Sequence, residues 1–364
     1  MKILRSYILK EVTGPLITSL AVFTFVLLIG NMFKLADLLV NKGVDVQDVL
    51  KLFIYLIPYI LSYTTPMAIL TATMLCFGRL ASDNEVTAMK ASGISLYGIG
   101  LPVIVAAFII SLASVYLNDR VLPQSHFASY KLIKEVGMKK PTAYLEAGTF
   151  IKSFKGYILF IHSINGDNLR DVRIYQLQDN GPARTIVAQS GTIKTFPEKN
   201  LVELKLNNGT LDEPNPDNPK IFYKLNFKTY NMKLNLAENF SKYDVEKKPK
   251  DMTIREIREE IARLKNNNID TVPLLAEIHR KIAMAFSGFV FVLVGLPVAI
   301  NTKRREKSVG FGMSLIILIT YYLLFIGGQA LALRHIVTPI IGLWLANIIY
   351  FILGSTLMFM AVEK

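Results

Sequence analysis

Six long stretches without a single charged residue decide what this 364-residue chain can fold into. They run 12–33, 52–78, 91–118, 282–302, 308–333 and 336–362, and each is rich in Leu, Ile, Val, Phe and Ala. Each is about 20 to 28 residues long, enough for a helix to cross the hydrocarbon core of a bilayer. Inside hydrocarbon the backbone has to satisfy its own hydrogen bonds, so such runs read as spanning helices. One run alone suits a buried helix of a large soluble protein. Six, with the charges confined between them, do not. Charged residues make up 19% of the chain, below the roughly 25% of a soluble domain. Residues 119–281 contain no such run. The expected architecture is therefore a polytopic α-helical membrane protein with six transmembrane helices, three before and three after a large insert.

Lys and Arg in the short loops set the expected orientation. One side carries Lys2, Arg5 and Lys10, then Arg79 and Lys90, then the "KRREK" cluster of 303–307, and finally Lys364. The other side's short loops carry Lys34, Lys42 and Lys51, balanced by Asp37, Asp45 and Asp48, and then only Arg334. Both termini are expected in the cytoplasm and the insert outside. The first run is too long for a signal-peptide core and no small-residue cleavage site follows it, so it is expected to stay as an anchor. The net charge of +13 suits an anionic lipid surface. The single cysteine, Cys76, lies inside a span, so no disulfide forms within the chain.

The insert reads as strand. "GYILFIHSI" (156–164), "DVRIYQLQ" (171–178), "TIVAQSGTIKTF" (185–196), "LVELKLNNGTL" (201–211) and "KIFYKLNFKTYNMKL" (220–234) are β-branched and aromatic runs separated by turn chemistry. Leu225 and Phe227 alternate with Lys224, Asn226 and Lys228. Strands at this spacing without intervening helices predict an antiparallel sandwich or roll. A helix follows over 252–268. Thr253 and Glu256 form a capping box, Ile254, Ile257, Ile261 and Leu264 share one face, and Glu259 stands four residues before Arg263. Asn266–Asn268 are expected to end it.

Much chemistry is absent. No Gly-Lys pair occurs, so the chain has no P-loop of its own. "FIGGQA" (325–330) lies within the fifth span, where Gly327 and Gly328 read as a close helix contact. His126, His162, His279 and His335 are scattered without metal-ligand spacing. Neither a metalloprotease nor a serine-hydrolase motif is present, and nothing supports an enzyme. Thr64 and Thr65 beside Pro66 are expected to satisfy carbonyls freed by the prolines of the second span.

Charges at the membrane edge carry more information. Lys34 and Asp37 stand one turn apart after the first span and either pair with each other or leave Lys34 to meet an anionic head group. Glu277 and Lys281 are spaced for a pair at the start of the fourth span, with Arg280 between. On the opposite side, "SDNEVTAMKASGIS" (82–95) is a helix rather than a loop, with Glu85, Met89 and Ser92 on one face, Val86 and Lys90 on another, and Gly93 as the cap. Its apolar face is too small for a lipid-lying helix, which favours docking to a separate protein.

These residues together resemble the permease subunits of the lipopolysaccharide-export ABC transporter, the LptF/LptG (YjgP/YjgQ) family. The resemblance rests on "RSYILKEV", "FKLADLLVNKG", "RLASDNEVTAMKASGIS", "DRVLPQS", "LLAEIHRKIAMAFSGFVFVLVGLPVAI" and "YYLLFIGGQALA" in this order, with Trp344 to Asn347 in the last span. It covers essentially the whole chain. The wording of the insert leans to the F type, and Lys34 is a feature of the G type. The resemblance implies two paired permeases above a cytoplasmic ATPase dimer, which binds the ATP and Mg; this chain itself binds no cofactor and no nucleic acid. It implies an inner-membrane location and an insert that is a periplasmic β-jellyroll, handing lipopolysaccharide to jellyroll bridge proteins. The implied layout is 1–123 for the first three spans, with the coupling helix at 82–95, then 124–250 for the jellyroll, 251–270 for a connecting helix and 271–364 for the last three spans. Asp83, Glu85, Val86, Met89, Lys90 and Ser92 are then candidate ATPase contacts, and Lys34, Lys42, Arg280 and Lys281 candidate lipid contacts. The alternative is a membrane-anchored periplasmic lipid-binding or scaffold protein without transport.

Overall fold

The computed structural model describes residues 2–139, 147–154, 156–178, 181–196, 201–214, 222–235, 247–265, 269–302 and 307–363. Most of the "KRREK" cluster and Asn266–Asn268 lie outside them. The chain divides into two compact units, one of residues 1–30, 55–127 and 247–364, the other of 31–54 and 128–246.

Each of the six apolar runs forms a helix. The first two spans are α1 (Lys2–Val40) and α2 (Val46–Ser82), followed by a short α3 (Glu85–Ala91). The third span joins α4 (Leu96–Tyr116), a π-helical segment at Leu117–Val121, and α5 (Leu122–Lys139). After the insert come a connecting helix α6 (Ile254–Lys265) and the last three spans, α7 (Val272–Thr302), α8 (Lys307–Leu333) and α9 (Pro339–Glu363). The third helix continues well past residue 118, where its uncharged run stops. Lysine, alanine and leucine sustain helix there without being apolar enough to register as a span.

Among these spans α7 is the centre. Of its most apolar 18 residues 72% are buried, against 6% for α1. Phe291, Val292 and Leu296 of α7 pack with Leu70 and Phe77 of α2, Ile99 of α4, Tyr321 of α8 and Leu343 of α9. Lipid tails are as apolar as leucine, so such helices are held by close packing and interhelical hydrogen bonds rather than by escape from water. Asn347 supplies one such bond: it accepts from the Tyr321 hydroxyl at 2.8 Å and donates to the Ala283 carbonyl at 2.9 Å, joining the last three spans. The backbones of α8 and α9 also touch. A β-carbon on Gly342 would stand 2.5 Å from the Gly328 carbonyl, whereas Gly327 faces open space, so the glycine contact expected of the pair belongs to Gly328 alone. Thr64 does not serve a proline-freed carbonyl in the way expected; its hydroxyl accepts from Thr24 of α1 at 3.3 Å.

Among its described residues the insert folds as six strands, β1 (Phe150–Phe154), β2 (Tyr157–Asn165), β3 (Asn168–Gln178), β4 (Gly181–Phe196), β5 (Leu201–Pro214) and β6 (Phe222–Asn235). Five correspond to the expected runs; β1, only five residues long, does not. They form one antiparallel sheet in chain order. Leu159 and Ile161, Val172 and Ile174, Ile186 and Ala188, Val202, Leu204 and Leu206, and Met232 and Leu234 are buried at alternate positions. Among the described residues this core draws on strands only. A flat sheet would leave that face wet, so the sheet curls over it. The ladders share one line of interruption. The ladders pass over His162, Asp171, Gln189, Asn208 and Lys228, which lie opposite one another across β2 to β6. Asp171 and Asn208 on this line take φ of 49° and 52°, the left-handed region that Asp and Asn tolerate better than other side chains.

Gly342→Val is expected to wedge α8 from α9 and destabilise the helical unit by about 1–3 kcal/mol. Thermal unfolding in detergent, with Gly327→Val as a near-neutral control, checks this.

Candidate functional site

Three places concentrate the residues singled out by sequence. The first is α3. It covers seven residues rather than fourteen, because Ser82 still belongs to α2 and Asn84, at φ 60°, makes the turn between them. Its end is as expected. Gly93, at φ 82°, donates to the Lys90 carbonyl at 3.0 Å and Ile94 donates to the Met89 carbonyl at 3.1 Å, a Schellman closure.

The faces of α3 differ from the expected division. Val86 is buried, and Met89 is half-buried, packed in part against the helical core. Asp83, Thr87, Ala88, Ala91 and Ser92 are exposed. Lys90 is half-buried, 3.4 Å from the Ala361 carbonyl at the end of α9. Glu85 is also half-buried and accepts a hydrogen bond from the Tyr7 hydroxyl at 2.8 Å. One turn further along α1, Glu11 pairs with Arg79 near the end of α2. Sequence reading missed Tyr7 and Glu11, although both lie in "RSYILKEV". Their spacing of four residues was the available signal, since it places them on one side of a helix.

The other residues singled out fall in two separate groups, one after the first span and one at the start of α7. Lys34 is exposed and does not take Asp37. Asp37 instead pairs with Lys42 at 3.7 Å and accepts from the Asn41 side-chain amide at 2.7 Å. On α7 the expected Glu277–Lys281 pair is replaced. Arg280 donates twice to the Glu277 carboxylate, at 2.8 and 2.6 Å, because its planar fork matches a carboxylate where an ammonium offers a single point. Lys281, only 3% exposed, donates to the Met252 carbonyl. Arg280 and Lys281, expected to face a lipid head group, are thus both engaged within the chain.

Around Lys281 a polar junction holds the connecting segment against the spans. The π-helical segment presents two side chains to it. Asn118 accepts from the Ser62 hydroxyl at 2.7 Å and donates to the Lys281 carbonyl at 3.1 Å; Asp119 accepts from the Ile254 N–H at 2.6 Å. That N–H is one of the four at the start of α6 that no helical carbonyl can satisfy. His126 of α5 pairs with buried Asp251. The expected capping box is present. The Thr253 N–H donates to Glu256 at 2.7 Å, and the Glu256 N–H donates to the Thr253 hydroxyl at 3.3 Å. The apolar face of α6 also forms as expected, with Ile257 buried against Leu274 and Ile278 of α7. Its surface pairs do not: Glu259 takes Arg255 at 3.0 Å, and Arg263 takes Glu260 at 3.6 Å.

Partial burial pushes the Glu256 carboxyl up, but bonds from Lys247 and from the Thr253 N–H and hydroxyl outweigh it and leave the carboxyl below its ordinary value. A group depressed in this way stabilises the fold above its unfolded pKa of about 4.3 and loses that contribution as pH falls through its lower folded value. Glu256→Gln is therefore expected to be less stable than the wild type at neutral pH, with the gap closing between about pH 5 and pH 3. Thermal unfolding of both proteins across that range checks it.

The family described as lipopolysaccharide export system permease LptF/LptG matches residues 6–360. Over 359 residues the chain is 24% identical to the lipopolysaccharide export system permease protein LptF of Escherichia coli K12, covering 98% of this chain and 94% of that protein. Identity to LptG of the same strain is also 24%, over 361 residues, covering 96% and 98%. An uncharacterized protein of Rickettsia prowazekii is 23% identical over 314 residues, covering 85% of this chain and 84% of its own length.

Proposed function

The chain belongs to the LptF/LptG family of lipopolysaccharide export permeases, and on that premise we propose that it is a non-catalytic subunit driven by a separate ATPase. In this reading it pairs with a second permease of the family in the bacterial inner membrane, with both termini and α3 in the cytoplasm. A cytoplasmic ATPase dimer docks on α3, binds the nucleotide and supplies the work. The insert is a periplasmic jellyroll. Lipopolysaccharide leaves the outer leaflet of the inner membrane between the paired permeases and passes along the insert to further jellyroll proteins. Identity of 24% to both LptF and LptG does not separate the two types.

The observation that carries this reading is the family match from one end of the chain to the other, residues 6–360, spanning both sets of spans and the insert. The geometry of α3 supports it. A short helix with an exposed small-residue face and a half-exposed carboxylate, fixed on the permease by a buried valine, is suited to receiving force from a docked partner. The chain offers no P-loop for hydrolysing ATP itself. Arg280 and Lys281 are occupied internally and Lys42 pairs with Asp37, so Lys34 is the cation we assign to lipid phosphate.

Glu85→Lys is expected to abolish lipopolysaccharide release from proteoliposomes and co-purification of the ATPase, while the permease still folds in the membrane with an unfolding temperature lowered only by loss of the Tyr7 bond. Normal release with both Glu85→Ala and Glu85→Lys would remove α3 from the mechanism. If the wild-type chain captures lipopolysaccharide but no ATPase, the scaffold reading replaces the transport one. Lys34→Asp is expected to lower photocrosslinking of lipopolysaccharide to the first span; unchanged crosslinking would remove Lys34 from the lipid path.

A further inference from the structure

Along residues 2–30, α1 makes few buried contacts: only Ile8, Val12, Ser19 and Phe23 are buried. Its firmest grip is at the tip. Leu4, Ile8 and Val12 form one stripe against the helical core, with Ile8 fully covered. Tyr7 and Glu11 form the adjoining stripe, and their partners Glu85 and Arg79 lie on either side of the left-handed turn at Asn84. The two polar links thus bracket the joint between α2 and α3 and fasten both of its sides to α1.

We infer that Tyr7 and Glu11 are positioning residues that transmit movement of α3 to the first span. This rests on the reading that an ATPase docks on α3. A carboxylate offers about four acceptor sites, and Tyr7 occupies one oxygen of a Glu85 that is only half-buried. Glu85 can therefore hold Tyr7 and a cationic donor of the ATPase together, as a bridge rather than as a free handle. A push on α3 that carries Glu85 carries Tyr7 with it. The Glu11–Arg79 pair keeps the end of α2 from slipping past α1 during that push. Val86 and Met89, packed on the core, hold α3 on its seat.

The test uses the assembled transporter in proteoliposomes, measuring ATP hydrolysis and lipopolysaccharide released per ATP on the same preparation. Tyr7→Phe removes one hydroxyl and Glu11→Gln one charge. Each is expected to keep hydrolysis within about twofold of the wild type while the release per ATP falls, by about tenfold in the double variant, as suits the loss of hydrogen bonds to charged groups. Tyr7→Phe and Glu85→Gln are expected to be non-additive in that ratio, since they break the same contact. Exchanging the charges, Glu11→Arg with Arg79→Glu, is expected to restore it. A purely structural role would lower the amount of complex and leave the ratio alone. An unchanged ratio in Tyr7→Phe and Glu11→Gln overturns the inference and leaves the docking reading standing. Loss of the ATPase from both variants overturns it as well, because the two residues would then serve docking. A wild-type chain that captures no ATPase overturns the reading beneath it. Should Glu11→Gln lower the yield of complex, Tyr7→Phe alone carries the test.

Discussion

A helix surrounded by lipid has already satisfied its own backbone, and nothing apolar drives it against a neighbour. The structure depends on how this chain answers that constraint. It uses small residues where backbones must meet, and a few buried polar side chains where helices must be held in register. Asn347 links three spans, Asn118 links α2 to α7 through the third span, and Thr71 donates to Ser314 at 3.1 Å between α2 and α8. Each is a short uncharged group that finds a partner in an adjacent helix, so the cost of taking it out of water is offset locally.

The same constraint explains why the cations of α7 turn inward. Lys281 and Asp251 are both 3% exposed, and a charge at that depth needs a partner from the chain. The π-helical segment of the third span helps provide the setting. Its widened turn presents Asn118 and Asp119 in succession, one toward α7 and the other toward the start of α6. The residues on either side of the insert are thereby tied where the chain returns to the membrane. Arg280 and Lys281, which in the sequence suit an anionic ligand, here bond within the chain.

Much of this was legible in the sequence. Spans follow from charge-free length, the insert from β-branched runs, and the start of α6 from Thr253 and Glu256, because each depends on residues close together in the chain. The errors share a cause. Glu277 has two basic residues within reach on one helix; the fork of Arg280 takes it, and the distant Met252 carbonyl draws Lys281 away. Spacing left open whether Lys34 pairs with Asp37, and the choice is made by Asn41 and Lys42, which fold back and reach Asp37. In α3, periodicity grouped Met89 with Glu85, while contact with the core separates them. Tyr7 is 78 positions from Glu85, beyond anything that local spacing can report.

The meeting of Gly328 and Gly342 has a mechanical consequence. Where backbone lies on backbone, no side chain stands between to change rotamer, so α8 and α9 have little play against each other. Asn347 adds α7 to the pair. The last three spans are therefore locked to one another through backbone contact and Asn347, whereas the tip of the first span is fastened to the joint between α2 and α3.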